Sequence, residues 1–179
     1  MKTLILILAL VLCAVPTTAQ ETGRTDGSEG SEYTRGGYPF GTGGRFFFNG
    51  SFGSGFFDTP NLGNKTGFLY GLALGYEMDE WLGIQGEYTY LSDRDMSILS
   101  LGSRLSYPWH PFVYHVSVQA GLYIPEVGSR NFGLAPGAGI DIVIHERVRI
   151  GLNYKHDFVF TDNQTTDIDR VYAGLKFYF

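Results

Sequence analysis

From Arg45 to Phe179 one pattern recurs: apolar and polar side chains alternate along eight separate segments. A period of two is that of a β-strand, whose successive side chains point to opposite faces of a sheet. The segments are Arg45 to Gly53, Gly67 to Met78, Trp81 to Leu91, Ser97 to Tyr107, Phe112 to Ile124, Phe132 to Ile144, Val148 to Phe158 and Asp169 to Phe179. In the fifth, Tyr114, Val116, Val118, Ala120 and Leu122 oppose His115, Ser117, Gln119 and Gly121. The sixth contains Pro136, which donates no ladder bond, so a local bulge or break is expected there. The 25 glycines and 26 tyrosines plus phenylalanines fit many short strands better than helices.

The connections differ in kind. Asp79-Glu80, Pro108 to Pro111 and His145 to Arg147 are very short. Ser54 to Thr66, Ser92 to Met96, Pro125 to Asn131 and Val159 to Ile168 are mostly longer and more polar. Short turns at one end and longer loops at the other are the layout of a bacterial outer-membrane barrel.

The amino-terminus sets the compartment. Met1-Lys2 gives a positive start, Leu4 to Val15 is apolar, and Pro16 to Ala19 offers small residues for cleavage after Ala19. Residues 1–19 therefore read as a secretory signal peptide. The apolar run is short for a membrane helix, which needs roughly 20 residues. Cleavage removes Cys13, the only cysteine, so the mature chain has no disulfide and no thiolate metal site. It also removes Lys2: 18 acidic residues then face 12 basic ones, and the formal charge moves from −5 to −6. An acidic exported chain argues against nucleic acid as a partner. Residues 20–44 are rich in Gly, Ser, Thr and mixed charge with no periodicity, and read as a flexible periplasmic segment.

Alternation alone fits a soluble barrel or a membrane barrel. The signal peptide and the loop asymmetry favour the membrane. Strands can cross lipid only in a closed barrel, where no backbone group is left bare. The apolar set then faces lipid, with aromatic residues gathered near both segment ends as interfacial girdles. The polar set faces inward: Arg45, Glu77, Glu87, Arg104, His115, Asp141, Arg149, Lys155, Asp157 and Lys176. Eight strands enclose little more than side chains. Five basic and four acidic inward residues imply mutual pairing, because unpaired buried charge is costly. The expectation is a plugged, salt-bridged interior without an open pore. Inward glycines and alanines of the second and sixth segments would make room for Tyr123, Tyr172 and Tyr178. The fold class is all-β: an eight-stranded antiparallel transmembrane up-and-down β-barrel over residues 45–179.

The stretches GLALGYEMDEWLGIQGEYTYL (Gly71 to Leu91), RVRIGLNYKHDF (Arg147 to Phe158) and VYAGLKFYF (Val171 to Phe179) resemble the small outer-membrane β-barrel family that includes OmpA-like and OmpX-like eight-stranded domains. In that family the first looks like two membrane strands flanking a periplasmic turn. The last looks like the signal read by the barrel-assembly machinery, with Tyr172, Leu175, Phe177 and the final Phe179. The resemblance implies an outer-membrane location, contact with lipid and lipopolysaccharide, a monomer, and a structural or surface-interaction role with an unspecified extracellular ligand.

Two groups of residues could carry chemistry. His115-Val116-Ser117 has the His-x-Ser spacing seen in lipid A deacylases, and a hydrolase needs a base beside its hydroxyl nucleophile. Parity puts both groups in the lumen, so a core histidine in a polar network is the expected reading. His156-Asp157 lies near the long-loop rim with several loop aspartates, as an Asp/His protease would require. These are also ordinary rim residues. Asp162, Asp167 and Asp169 lack the spacing of a calcium loop, so no metal or cofactor is expected. A lipid A-modifying hydrolase and a small pore remain as alternatives. As the last strand, Val171 to Phe179 should pair with the first, and Lys176 should turn towards Glu77 or Asp141.

Overall fold

The computed structural model describes residues 44–58, 65–161 and 165–179. The expected signal peptide and nearly all of the 20–44 segment lie outside them. The strands are β1 (Arg45–Asp58), β2 (Lys65–Glu77), β3 (Leu82–Leu91), β4 (Met96–Trp109), β5 (Phe112–Pro125), β6 (Asn131–His145), β7 (Val148–Phe160) and β8 (Thr165–Tyr178). Each pairs antiparallel with its sequence neighbours, and β1 pairs with β8, closing the barrel. Closure leaves no sheet edge. At the seam Phe47 faces Tyr178, Gly50 faces Leu175 and Gly53 faces Tyr172. The Phe179 amide donates to the Phe46 carbonyl at 3.1 Å, so the final residue is tied to the first strand.

Several strands are longer than the alternation suggested. β1 runs to Asp58 and β8 starts at Thr165, so Ser54 to Asp58 and Thr165 to Ile168 are strand, not loop. The reason is an inversion. Near the loops Ile168 and Phe57 turn inward and are buried, while Asp167, Asp169 and Ser54 lie on the other face. Strands of 13 to 15 residues exceed the roughly 9–11 that cross hydrocarbon, so their ends project beyond it. Outside lipid a polar residue can face out.

Pro136 breaks the ladder without shifting it. Leu134 pairs with Phe158 and Gly137 with Lys155 in one continuous register, while Ala135 and Pro136 have no partner on β7. The irregularity in register lies instead at Val143/His145. At the short-turn end, Asp79 Oδ1 accepts from the amides of Trp81 (2.8 Å) and Leu82 (2.7 Å) and fixes the β2–β3 turn. At the other end Ser92–Arg94 form a single 3₁₀ turn that ends on Asp95 in the left-handed region (φ 44°). Among the described residues no helix is long and apolar enough to cross a membrane. The crossing elements are strands.

The outward residues form an apolar band. Leu72, Leu74, Leu99, Leu101, Val116, Ile142, Ile150 and Leu152 are all exposed. Aromatic pairs border it: Phe46 with Tyr76 and Trp81 with Tyr107 near the short turns, Tyr70 with Tyr90 and Phe132 with Phe160 near the loops. This apolar exterior is what a lipid solvent requires.

Candidate functional site

Among the described residues, buried charged side chains converge in the barrel interior. Strand parity aims them there: residues two apart share a face, so Lys155 and Asp157 on β7 enter the lumen together. Buried charges are costly unless each finds an opposite partner. The interior meets this requirement in two clusters.

The first lies near the short turns. Arg104 Nη2 donates to Asp141 Oδ2 at 2.5 Å, and Lys176 Nζ donates to the same oxygen at 3.0 Å. Lys176 Nζ also lies 4.0 Å from Glu77 Oε1. Tyr178 donates its hydroxyl to Glu77 at 2.8 Å, and Arg149 Nη1 stands 3.7 Å from that carboxylate. The Arg149 guanidinium is 4.4 Å from the Tyr178 ring centre, within cation–π range. Arg45, in register with Glu77, is 5.3 Å from the same ring.

The second cluster lies higher. Lys155 Nζ donates to Glu87 Oε2 at 2.6 Å and to Gln119 Oε1 at 2.7 Å. Arg170, wholly buried, donates from Nη2 to Asp157 Oδ1 at 2.7 Å, and its Nε stands 2.7 Å from Oδ2 as an ion pair. Arg170 also reaches Glu87 at 3.4 Å, which Thr89 supports at 3.0 Å. Arg170 was missing from the sequence-derived set. Its parity with Tyr172 and Lys176 was the available signal, and it sits where the alternation inverts. Arg170 joins the five inward basic residues that the alternation pointed to.

Above the clusters the lumen is apolar. Phe57, Leu69, Leu91, Met96, Ile98, Tyr123, Val159, Ile168 and Tyr172 form one buried cluster near the loops. The sequence implies a polar, salt-bridged interior with room for Tyr123, Tyr172 and Tyr178; the structure adds an apolar layer of aliphatic side chains and rings near the loops. Small residues admit the bulk, though not as expected. A Cβ on Gly133 would stand 2.7 Å from the Tyr123 ring, but Gly75, Gly137 and Gly139 instead make room for Phe47, Lys155 and His115.

Between the two ionic clusters lies a small polar cavity, bordered by Glu87 and Lys155 on one side and Arg104, Asp141 and Lys176 on the other. It offers about 20 Å³ to the centres of water molecules. His115 and Ser117 both line it and are buried. His115 Nε2 lies 3.6 Å from Asp141 Oδ1. The lipid-facing His-x-Ser that a lipid hydrolase needs is therefore not formed by these two residues. His156 and Asp157 point to opposite faces. Asp157 is inside with Arg170, whereas His156 is outside, with Nδ1 2.7 Å from Asp169 Oδ1. Tyr154 donates to that same oxygen at 2.5 Å. On the terminal strand, Tyr172 turns inward, while Leu175, Phe177 and Phe179 face outward and are exposed. Among the described residues no group of three or more His, Cys, Asp or Glu is placed to hold a metal.

Comparison with known proteins bears on this architecture. A family model described as "Outer membrane protein beta-barrel domain" matches residues 5–179. The fold is similar to the crystal structure of Neisserial surface protein A (NspA), with TM-score 0.63 and 16% identity over 75% of this chain and 97% of that one. It is also similar to the N-terminal β-barrel domain of Pseudomonas aeruginosa OprF, with TM-score 0.55 and 14% identity over 75% and 99% of the two chains. The attachment invasion locus protein Ail of Yersinia pestis, solved with the heparin analogue sucrose octasulfate, gives TM-score 0.53 and 15% identity over 76% and 99%. At these identities the likeness is one of fold. A search of curated proteins finds no match.

Proposed function

The chain belongs to the outer membrane protein beta-barrel domain family, which places it in the bacterial outer membrane, and from that premise we propose that it is a non-conducting barrel with a structural or surface-interaction role. One observation supports this reading: two ionic clusters and an apolar cluster above them occupy the lumen, with only a small polar cavity between the ionic clusters. A filled lumen leaves the outer wall and the two ends as the working surfaces. The wall meets lipid and lipopolysaccharide. The loop end would meet an extracellular ligand.

The charge of that end narrows the ligand. Asp93, Asp95, Glu126, Asp167 and Asp169 stand there against Arg94 and Arg130. Ail was solved with a polyanion, but an acidic rim repels one. A cationic or neutral partner suits this chain better. Planar-bilayer recording of refolded protein tests the filled lumen. We expect no stable steps, and steady single-channel currents would replace this reading with the pore. Binding to a basic peptide but not to immobilised heparin is expected at the loop end. The reverse preference would sink that assignment.

Export and assembly follow from the same premise. We assign residues 1–19 to a signal peptide, so amino-terminal sequencing of the mature protein should begin at Gln20. We assign Tyr172, Leu175, Phe177 and Phe179 to recognition by the barrel-assembly machinery. Deleting Phe179 should slow insertion in cells while leaving refolding in detergent intact; equal loss in both would make its role purely structural. The mature barrel is proposed to be a monomer, checked by sedimentation in detergent. A hydrolase would need His115 and Ser117 beside lipid, and their burial in the lumen supports the non-enzymatic reading.

A further inference from the structure

Side chains of unequal length share the middle of the lumen. Asn49, Ser117, Gly151, Asn153 and Gly174 are short, and they line the polar cavity between the two ionic clusters. The charged groups in its wall are already paired. Arg104 and Lys176 both meet Asp141, and Lys155 meets Glu87. An added ion would find no unpaired opposite charge there to repay its dehydration. The electrostatics of the wall therefore favour a neutral occupant.

His115 favours an occupant that both donates and accepts. The residue is 7% exposed, and neither ring nitrogen has a hydrogen-bond partner among the described residues. Asp141 Oδ1, 3.6 Å from Nε2, is beyond hydrogen-bond reach. A neutral imidazole carries one N–H donor and one bare nitrogen acceptor, and a buried polar group left without a partner is costly. The amides of Asn49, Gln85 and Asn153 add further donors and acceptors to the wall. A halide only accepts, and a metal cation is bound only by acceptors; water does both. Size agrees. A water needs roughly 10–15 Å³ of space for its centre, so about 20 Å³ takes one or two.

We propose that this cavity is a site for one or two internal water molecules, anchored on His115, that bridge the lower ionic cluster to the upper one. The hydrogen bonds of Asp141 join members of the lower cluster, and those of Glu87 and Asp157 join members of the upper. Water in the cavity has Arg104 and Asp141 on one side and Glu87 and Lys155 on the other, so it carries the polar network across the gap. His115 and Ser117 then serve as the lining of a hydration site. The inference goes beyond the non-conducting role, since its test reads occupancy rather than current.

Crystals of the refolded barrel grown in sodium bromide test the site directly. Density is expected within about 3.2 Å of a His115 nitrogen, with no anomalous signal at the bromine edge. No density there, or an anomalous peak, would overturn the proposal. In solution, oxygen-17 relaxation dispersion of the solvent counts long-held internal waters. Gly174→Ala should lower that count by the waters of this site, because its Cβ would stand 2.7 Å from Asn49 Oδ1 and crowd that cavity-lining side chain without touching a charge. An unchanged count would place the held waters elsewhere and refute the site. If this variant does not refold, His115→Phe takes its place: its ring fills the space and offers no hydrogen bond, so the same loss is expected and an unchanged count is again a refutation. A barrel that conducts would fail the filled-lumen reading alone, since density on His115 is read independently of current.

Discussion

Near the short turns the lumen holds Glu77, Arg104, Asp141, Arg149 and Lys176 in one ionic cluster, whereas near the loops Phe57, Leu91, Ile98 and Ile168 form an apolar one, bordered by the Arg94 guanidinium 5.1 Å from the Phe57 ring centre. The same eight strands line both regions. What differs is the medium outside. Where lipid bathes the wall, apolar residues are drawn outward and the polar ones are left to pair within. Where the wall meets water, that constraint lifts: Asp167 and Asp169 turn out, and Ile168 between them turns in. On β4 the same switch sets Ser97 outward between buried Met96 and Ile98, while Leu99 and Leu101 below are exposed. The inversion therefore marks the outer edge of the hydrocarbon on the barrel wall.

The two regions should fail differently when broken. Arg170→Ala strips the wholly buried partner from Asp157 and leaves a carboxylate in the interior. We expect a loss of about 3–5 kcal/mol, read by urea unfolding of the refolded barrel. Arg170→Met combined with Asp157→Leu should recover most of that loss, because it removes both charges and keeps volume. A double variant as weak as the single one would show that the pair contributes more than mutual neutralisation.

In the apolar region Ile98→Ala should cost about 3 kcal/mol, through lost burial and the cavity left behind. No removal of a partner charge should rescue it, since the Ile98 side chain is purely apolar. A cost near zero would mean the upper lumen is loosely filled, and the contrast between the regions would dissolve. Gly139→Ala probes the fit of the ionic region instead. Its Cβ would stand 2.5 Å from His115 Cε1, so overpacking of about 1–3 kcal/mol is expected. Adding His115→Ala should relieve only part of it, because the same Cβ would stand 2.7 Å from the Leu152 carbonyl; a thermodynamic cycle with no coupling would place all the strain on that backbone contact.

Much of this was readable from the chain. Alternation gave the eight strands, their faces and the closing pair, because a lipid exterior makes the apolar set uniform. The inward positions of Glu77, Glu87, Arg104, Asp141, Lys155 and Lys176 followed from parity. Their pairing across strands did not, since Glu87 and Lys155 are 68 residues apart and meet only through the barrel's curvature. Arg170 and the strand ends escaped because the rule that found the others reverses there: an inward Ile168 and an outward Asp169 look like loop when outward is assumed apolar. The buried apolar cluster was hidden by the same reversal. The polar cavity is a matter of packing volume, which no pattern of single residues encodes.

The smallest expected effect tests where the reversal falls. On the outer wall Tyr154 donates to Asp169, which also contacts His156, and Asp169 is 41% exposed while His156 is 28% exposed. If this trio lies above the hydrocarbon, water can replace the phenol hydroxyl in Tyr154→Phe. The loss should then be only about 0.5 kcal/mol, in lipid vesicles as in detergent. If the trio lay within the hydrocarbon, water would be missing in vesicles, and a carboxylate left with His156 as its one partner of the trio would be far more costly there. A vesicle loss above about 2 kcal/mol, against a small one in detergent, would move the boundary past Asp169 and undo the account of why the lumen changes character.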